Sequence, residues 1–137
     1  MILFINIQLY LELMDEKLKQ GMSLYTHGLF DTFLNDKLKN INYCRTEVTR
    51  KLMLLKVVEY YCTNKKLSNE NLINLIPDNI SSRSHRINCI NDLCDKKILK
   101  KEQDPEDKRV SLISPTTLTL NEFVQYFESV SAIVTQP

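Results

Sequence analysis

Only two glycines, Gly21 and Gly28, punctuate the 137 residues, and β-branched runs are few. A chain with so few positions free to take left-handed turns is poorly suited to a many-hairpin sheet, so it is expected to be mainly helical. Its length fits a single domain spanning residues 1–137 with a sizeable core, and its 43% hydrophobic and 26% charged residues are ordinary for a globular chain. The net charge of +1 gives no blanket attraction to nucleic acid. Any anion-binding surface must therefore come from local clusters of Lys and Arg.

The opening run MILFINIQLYLELM has no basic leader and no small-residue cleavage site, and it is too short to span a bilayer. It is expected to be the first, heavily buried helix of a cytoplasmic protein. Between Ile5 and Lys19, the residues Ile7, Tyr10, Leu11, Met14 and Leu18 recur at helical spacing, and Gly21 is expected to end that helix. A second helix over Leu24–Leu38, carrying Phe30, Phe33, Leu34 and Leu38, is expected to pack on the first. A third runs from Thr46 to Cys62 with Leu52, Leu55, Val58, Tyr61 and Cys62 on its inner side, and TNKK stops it. Ser68 caps a short helix with Leu72, Leu75 and Ile76 inward, which Pro77 closes. Ser81 or Ser82 opens the next, with Ile87, Ile90, Leu93 and Cys94 inward, ending near Lys96.

Two short helices joined by a tight turn and followed by an alternating segment give the order of a winged helix-turn-helix. ILKKEQ and RVSLIS read as the strands of a β-hairpin, with Ile98, Val110 and Leu112 on one face and DPEDK at the exposed tip. Pro115 breaks the second strand. Thr116 or Thr117 then starts a last helix, whose Leu120, Phe123, Val124, Phe127, Val130 and Val134 form a broad apolar stripe. A wing that meets DNA needs cations at its tip and acids to hold them in place. Asp107 lies two residues from Arg109 and is positioned to orient its guanidinium, with Lys100, Lys101 and Lys108 adding charge nearby.

The run LCDKKILKKEQDPEDKRVSLISPT resembles the recognition-helix end and wing of the MarR family of dimeric transcription regulators, whose wings carry Asp-x-Arg followed by a threonine that starts the next helix. Asp107, Arg109 and Thr116 occupy those positions. The resemblance in motif covers residues 67–116. Two departures stand out: Lys97 replaces the glycine common after the recognition helix, where a left-handed conformation costs more, and Pro115 replaces an aliphatic residue. The resemblance implies a mainly α fold with a small β-hairpin wing. Its winged helix-turn-helix core, residues 46–115, would be flanked by dimerisation helices in residues 1–45 and 116–137. It further implies a homodimer on a palindromic operator in double-stranded DNA, and a small-molecule effector pocket whose ligand no residue identifies.

The amino end of the expected recognition helix offers Ser82, Arg83, Ser84, His85 and Arg86. Arginine can bind guanine at two points, serine can donate or accept, and a helix amino terminus attracts phosphate. Residues 79–113 hold eight Lys and Arg against six Asp and Glu, an excess of only +2, so the case rests on placement. His85 has two readings, a base or phosphate contact and a partly buried polar residue. With His27 the only other histidine and no H-x-x-x-H spacing, no metal site is expected. Of the four cysteines, Cys44 has Arg45 beside it, which could lower its pKa, but family sensing cysteines lie in the first helix, where this chain has none. Cys62 and Cys89 fall at positions suited to small core residues, so structural thiols are expected throughout. There is no Gly-rich phosphate loop, no G-x-S-x-G elbow and no H-E-x-x-H, so neither an enzyme nor a cofactor is expected. The two function classes left are a sequence-specific DNA-binding regulator and a winged-helix module that binds protein instead.

Overall fold

The computed structural model describes residues 2–134, with side chains through residue 132. The described residues form six helices and one hairpin: α1 (Ile2–Phe33), α2 (Lys39–Arg45), α3 (Val48–Cys62), α4 (Asn69–Leu75), α5 (Arg83–Asp95), β1 (Leu99–Gln103), β2 (Ser111–Pro115) and α6 (Thr117–Val134). Two compact units emerge, Met1–Asp36 with Tyr126–Pro137, and Lys37–Gln125. The fold is mainly helical with an antiparallel hairpin wing, as the glycine-poor sequence demands.

In the first unit, α1 is a single helix of 32 residues, about 48 Å long at 1.5 Å per residue. The expected stop at Gly21 does not occur, and the two helices expected to pack together are one. A glycine inside a helix costs only about 1 kcal/mol relative to alanine, too little to end a helix favoured on both sides. Nothing lies within 4 Å of where a Cβ would sit on Gly21 or Gly28. The expectation of a heavily buried first helix also fails within one chain. Tyr10 is 63% exposed and Leu18 63%, and Ile7, Leu11 and Met14 are likewise open. The last turns of α6 belong to this unit, and the side chain of Val134, placed in the apolar stripe from sequence, lies outside the described residues.

The second unit holds the core. Met53, Leu54 and Val57 of α3, Leu72 and Ile73 of α4, Ile90 and Leu93 of α5, and Leu99 and Ile113 of the hairpin are all buried. Full burial of one such side chain stabilises by about 1.5–3 kcal/mol. Glu47 opens α3, its carboxylate accepting from the amides of Thr49 at 2.9 Å and Arg50 at 3.0 Å. The inner face of α3 therefore carries Thr49, Met53, Leu54 and Val57, while Leu55, Tyr61 and Cys62, expected inside, are exposed. On a helix that is apolar on several sides, spacing alone selects no single stripe. On α4, Ile73 takes the buried place expected of Leu75, for the same reason.

Two helix exits are built alike. After α3, Asn64 takes a left-handed φ of 56°, its amide reaching Tyr61 O at 3.2 Å and that of Lys65 reaching Tyr60 O at 2.9 Å. After α5, Lys97 takes φ 60°, its amide donates to Cys94 O at 3.0 Å, and that of Ile98 donates to Leu93 O at 3.0 Å. This is the two-bond left-handed helix end, and Ile98 and Leu93, the two positions that commonly meet in it, are both buried. Lysine thus adopts the conformation that glycine adopts more easily.

The hairpin pairs Leu99 with Pro115 and Lys101 with Ile113. Leu99, Ile113 and Pro115 are buried, whereas Val110 and Leu112 are only partly so. The inward face is therefore one residue out of step from that expected, because Ile98 is used to close the helix end before the strand begins. Leu67 adds a further link, its carbonyl accepting from Ile113 N at 2.8 Å. Pro115 does not break the strand; it is the strand's last residue. Thr116 then starts α6, donating to Lys97 O at 2.8 Å and accepting from Thr119 N at 3.4 Å. Further along α6, the buried Glu122 accepts from the amides of Asn40 at 2.8 Å and Ile41 at 3.1 Å, capping α2, which has no side-chain cap of its own. Burial raises the pKa of this carboxyl, and the two amides oppose the shift.

Candidate nucleic-acid interface

Helix α5 begins where Ser82 accepts from His85 N at 3.2 Å, the expected serine cap. Before it, α4 is capped by Ser68 through Asn71 N at 3.0 Å and gives way at Ile76–Pro77 to a turn in which Ile80 N reaches Pro77 O at 3.0 Å. Side chains at the amino end of α5 divide by environment. Ser82, Arg83, Ser84 and His85 are exposed, and Arg83 lies in a two-point contact with Glu70 of α4 at 2.8 and 3.0 Å. That pair is about half exposed on both sides, so releasing Arg83 to another acceptor costs on the order of 0–1 kcal/mol.

Arg86 departs from the expectation that it faces a base. It is only 4% exposed, and its guanidinium donates to Ile76 O and to Asp78 Oδ1, the latter at 2.7 Å. Both acceptors lie in the turn, so Arg86 fastens the turn to α5. The reason is geometric: residues 86, 90 and 93 share the helix face that lies on the core, and there Arg86 fills the place expected of Ile87, which is 36% exposed.

The wing carries the other half of the predicted set. Val110 N reaches Asp107 O at 3.0 Å, and Asp104 N reaches Val110 O at 2.9 Å, which closes the tip. Within it, Asp107 Oδ1 accepts from Arg109 N at 3.1 Å and Nε at 3.2 Å, while Oδ2 accepts from Nη2 at 3.3 Å. The Arg109 side chain is nonetheless 91% exposed. The guanidinium, followed by the backbone amide, holds the Asp107 carboxyl below its ordinary pKa. Lys66, just before α4, grips the base of the tip through Glu106 and Asp104, each at 3.2 Å, and these two carboxylates raise its own pKa. Lys100, Lys101 and Lys108 are exposed, with Lys100 at 3.5 Å from Glu102.

One cluster was missed from the sequence. His85 Nε2 lies 3.5 Å from Cys89 Sγ, one turn along α5, and 3.4 Å from Glu47 Oε1 at the start of α3. Partial burial acts to raise the Glu47 carboxyl, but the amides of Thr49 and Arg50, aided by His85, hold it down at about 2. Burial pushes the Cys89 thiol up to about 11, with Glu47 adding to the shift, and burial pushes Cys44 up to about 12. In the absence of another charge, both are inert thiols. The His85–Cys89 spacing was legible as i, i+4 on one helix face. The approach of Glu47, 38 positions before His85, was not.

No family model and no curated protein sequence matches the chain. Among solved structures, the chain is similar to the YusO protein of Bacillus subtilis, at 15% identity and TM-score 0.43 over 96% of this chain and 78% of that one. It is also similar to the adhesin competence repressor AdcR of Streptococcus pyogenes, at 18% identity and TM-score 0.39 over 88% and 75% of the two chains. The order α4, turn, α5 and the β1–β2 hairpin is that of a winged helix-turn-helix. Among the described residues, no helix is long and apolar enough to cross a membrane.

Proposed function

We propose that this chain is a sequence-specific DNA-binding transcription regulator that acts as a homodimer, with α5 entering the major groove and the wing reaching toward the minor groove. The observation that carries the reading is Arg109, 91% exposed yet held at three points by Asp107 at the tip of the wing. A cation fixed in place before binding loses little freedom when it meets a phosphate or a narrow groove. Arg83, Ser84 and His85 at the open amino end of α5 supply groups that can read base edges, and Ser82 and the helix amides suit a phosphate. Lys100, Lys101 and Lys108 add phosphate contacts. Arg86 acts indirectly, by holding the turn that sets the angle of α5.

The dimer is supported by the apolar side chains that α1 leaves open and by Val124 and Phe127 of α6, 55% and 58% exposed. Two copies would place two recognition helices on half-sites about one DNA turn apart.

Binding by variants tests the reading. Arg109→Ala is expected to weaken binding on every sequence and to lower the salt slope by about one. Arg83→Ala is expected to change which bases are preferred at one position of each half-site. Unchanged affinity and preference in both would contradict the proposal. The local excess of only +2 over residues 79–113 favours a second reading, a winged helix that binds a protein partner. On that reading, DNA binding at moderate salt is absent or indifferent to sequence.

A further inference from the structure

The cluster of Glu47, His85 and Cys89 brings a helix-capping carboxylate, a half-exposed imidazole and a buried thiol together between α3 and α5. Among the described residues, these three offer one ligand atom each, all within 4.8 Å of one another. A zinc-class ion with sulfur at about 2.3 Å and nitrogen or oxygen at about 2.0–2.1 Å, in tetrahedral array, separates its donors by roughly 3.4–3.6 Å. The separations here are 3.5 Å between Cys89 Sγ and His85 Nε2 and 3.4 Å between that nitrogen and Glu47 Oε1, while the sulfur lies 3.7 Å from the other oxygen, Oε2, so a bound ion would have the carboxylate turn to present one oxygen to both. We propose that Glu47, His85 and Cys89 form a binding site for one zinc-class divalent cation, joining the start of α3 to the first turns of α5.

The chemistry of the donors selects the class. Thiolate and imidazole prefer zinc or cobalt to magnesium or calcium, which take oxygen ligands. Thiolate and carboxylate together carry two negative charges against the two positive charges of the ion. Metal binding deprotonates the thiol, so the proton leaves Cys89 to solvent as the sulfur–metal bond forms. Both Glu47 oxygens already accept a backbone amide, but a carboxylate has about four lone-pair directions, which leaves each oxygen one for a metal. Arg50, the nearby cation that bears on Cys89, is engaged by the hydroxyls of Tyr43 at 3.1 Å and Thr46 at 2.8 Å. Entry is from the His85 side, where the imidazole is 48% exposed and solvent can supply a fourth ligand. Three protein ligands and one solvent corner suit an exchangeable ion better than a permanent structural one.

The site does not depend on the DNA-binding reading, since no nucleic acid takes part. The test is titration of the reduced 137-residue chain with cobalt(II), an optical stand-in for zinc, followed by zinc. Expected is a thiolate-to-cobalt charge-transfer absorption that saturates at one equivalent and is removed by one equivalent of zinc. His85→Asn and Cys89→Ser should each lower affinity by more than the roughly 10–100-fold typical of losing an outer-shell partner. Cys44→Ser, Cys62→Ser and Cys94→Ser should leave the absorption in place. Because Cys89 is buried and its serine variant can misfold, the half-exposed His85→Asn decides the matter. No charge-transfer absorption at stoichiometric cobalt, or full absorption in His85→Asn, would overturn the proposal.

Discussion

Helix α1 and the winged unit of residues 37–125 are both rich in apolar residues, yet they treat them in opposite ways. In the winged unit, Met53, Leu72 and Leu93 are each 0% exposed. Along α1, Ile2, Phe4 and Leu13 are 79%, 81% and 60% exposed. An amphipathic spacing states that a face will be covered, but it does not state by what. In the winged unit the cover is the chain itself. For α1 the proposed homodimer would supply it, since monomeric proteins rarely leave open so large an apolar surface.

The contrast can be broken first in the winged unit. Leu93→Ala should cost about 2–5 kcal/mol in urea unfolding, because α5, β1 and α3 cannot all close over the cavity. Arg86→Ala should cost about 1–3 kcal/mol by the same measurement, because it strips Ile76 O of its donor and frees the turn before α5. A cost within experimental error would mean that Arg86 is free to face DNA after all. Acid should act through Glu47. Its folded pKa of about 2 lies below the ordinary value of 4.5, so its contribution is present above about pH 4.5 and is lost as pH falls toward 2. Glu47→Gln should flatten unfolding monitored by circular dichroism over that window, and an unaltered acid limb would remove Glu47 as its source. The smallest effect on the winged unit should come from α1: Leu11→Glu should shift the sedimenting species from dimer to monomer while changing the unit's unfolding by no more than about 0.5 kcal/mol. A stable dimer in that variant would place the interface elsewhere.

Features fixed by local chemistry were legible in the sequence. The Ser68 and Ser82 caps, the stop at Pro77, the wing with its Asp107–Arg109 contact and the threonine before α6 all follow from residues within a few positions of one another. Features decided by packing were not. The buried face of α3 could not be chosen by spacing on a helix apolar on several sides, and the strand faces turned on Ile98 being used to end α5. Arg86 was read as exposed because a charged residue near a helix start ordinarily is, whereas its acceptors lie eight and ten residues back, across the turn. The Glu47–His85–Cys89 cluster needed the packing of α3 on α5 before it could be seen.

The most direct test of the central claim is selection of bound sequences from a randomised duplex pool by the purified chain, followed by anisotropy titration of the winners over a salt series. A dimeric regulator should select a palindrome with half-sites about one helical turn apart and bind it with an affinity that falls steeply as salt rises. Failure to retain any duplex at low salt would contradict it and turn the exposed Arg109 wing into a surface for a protein partner.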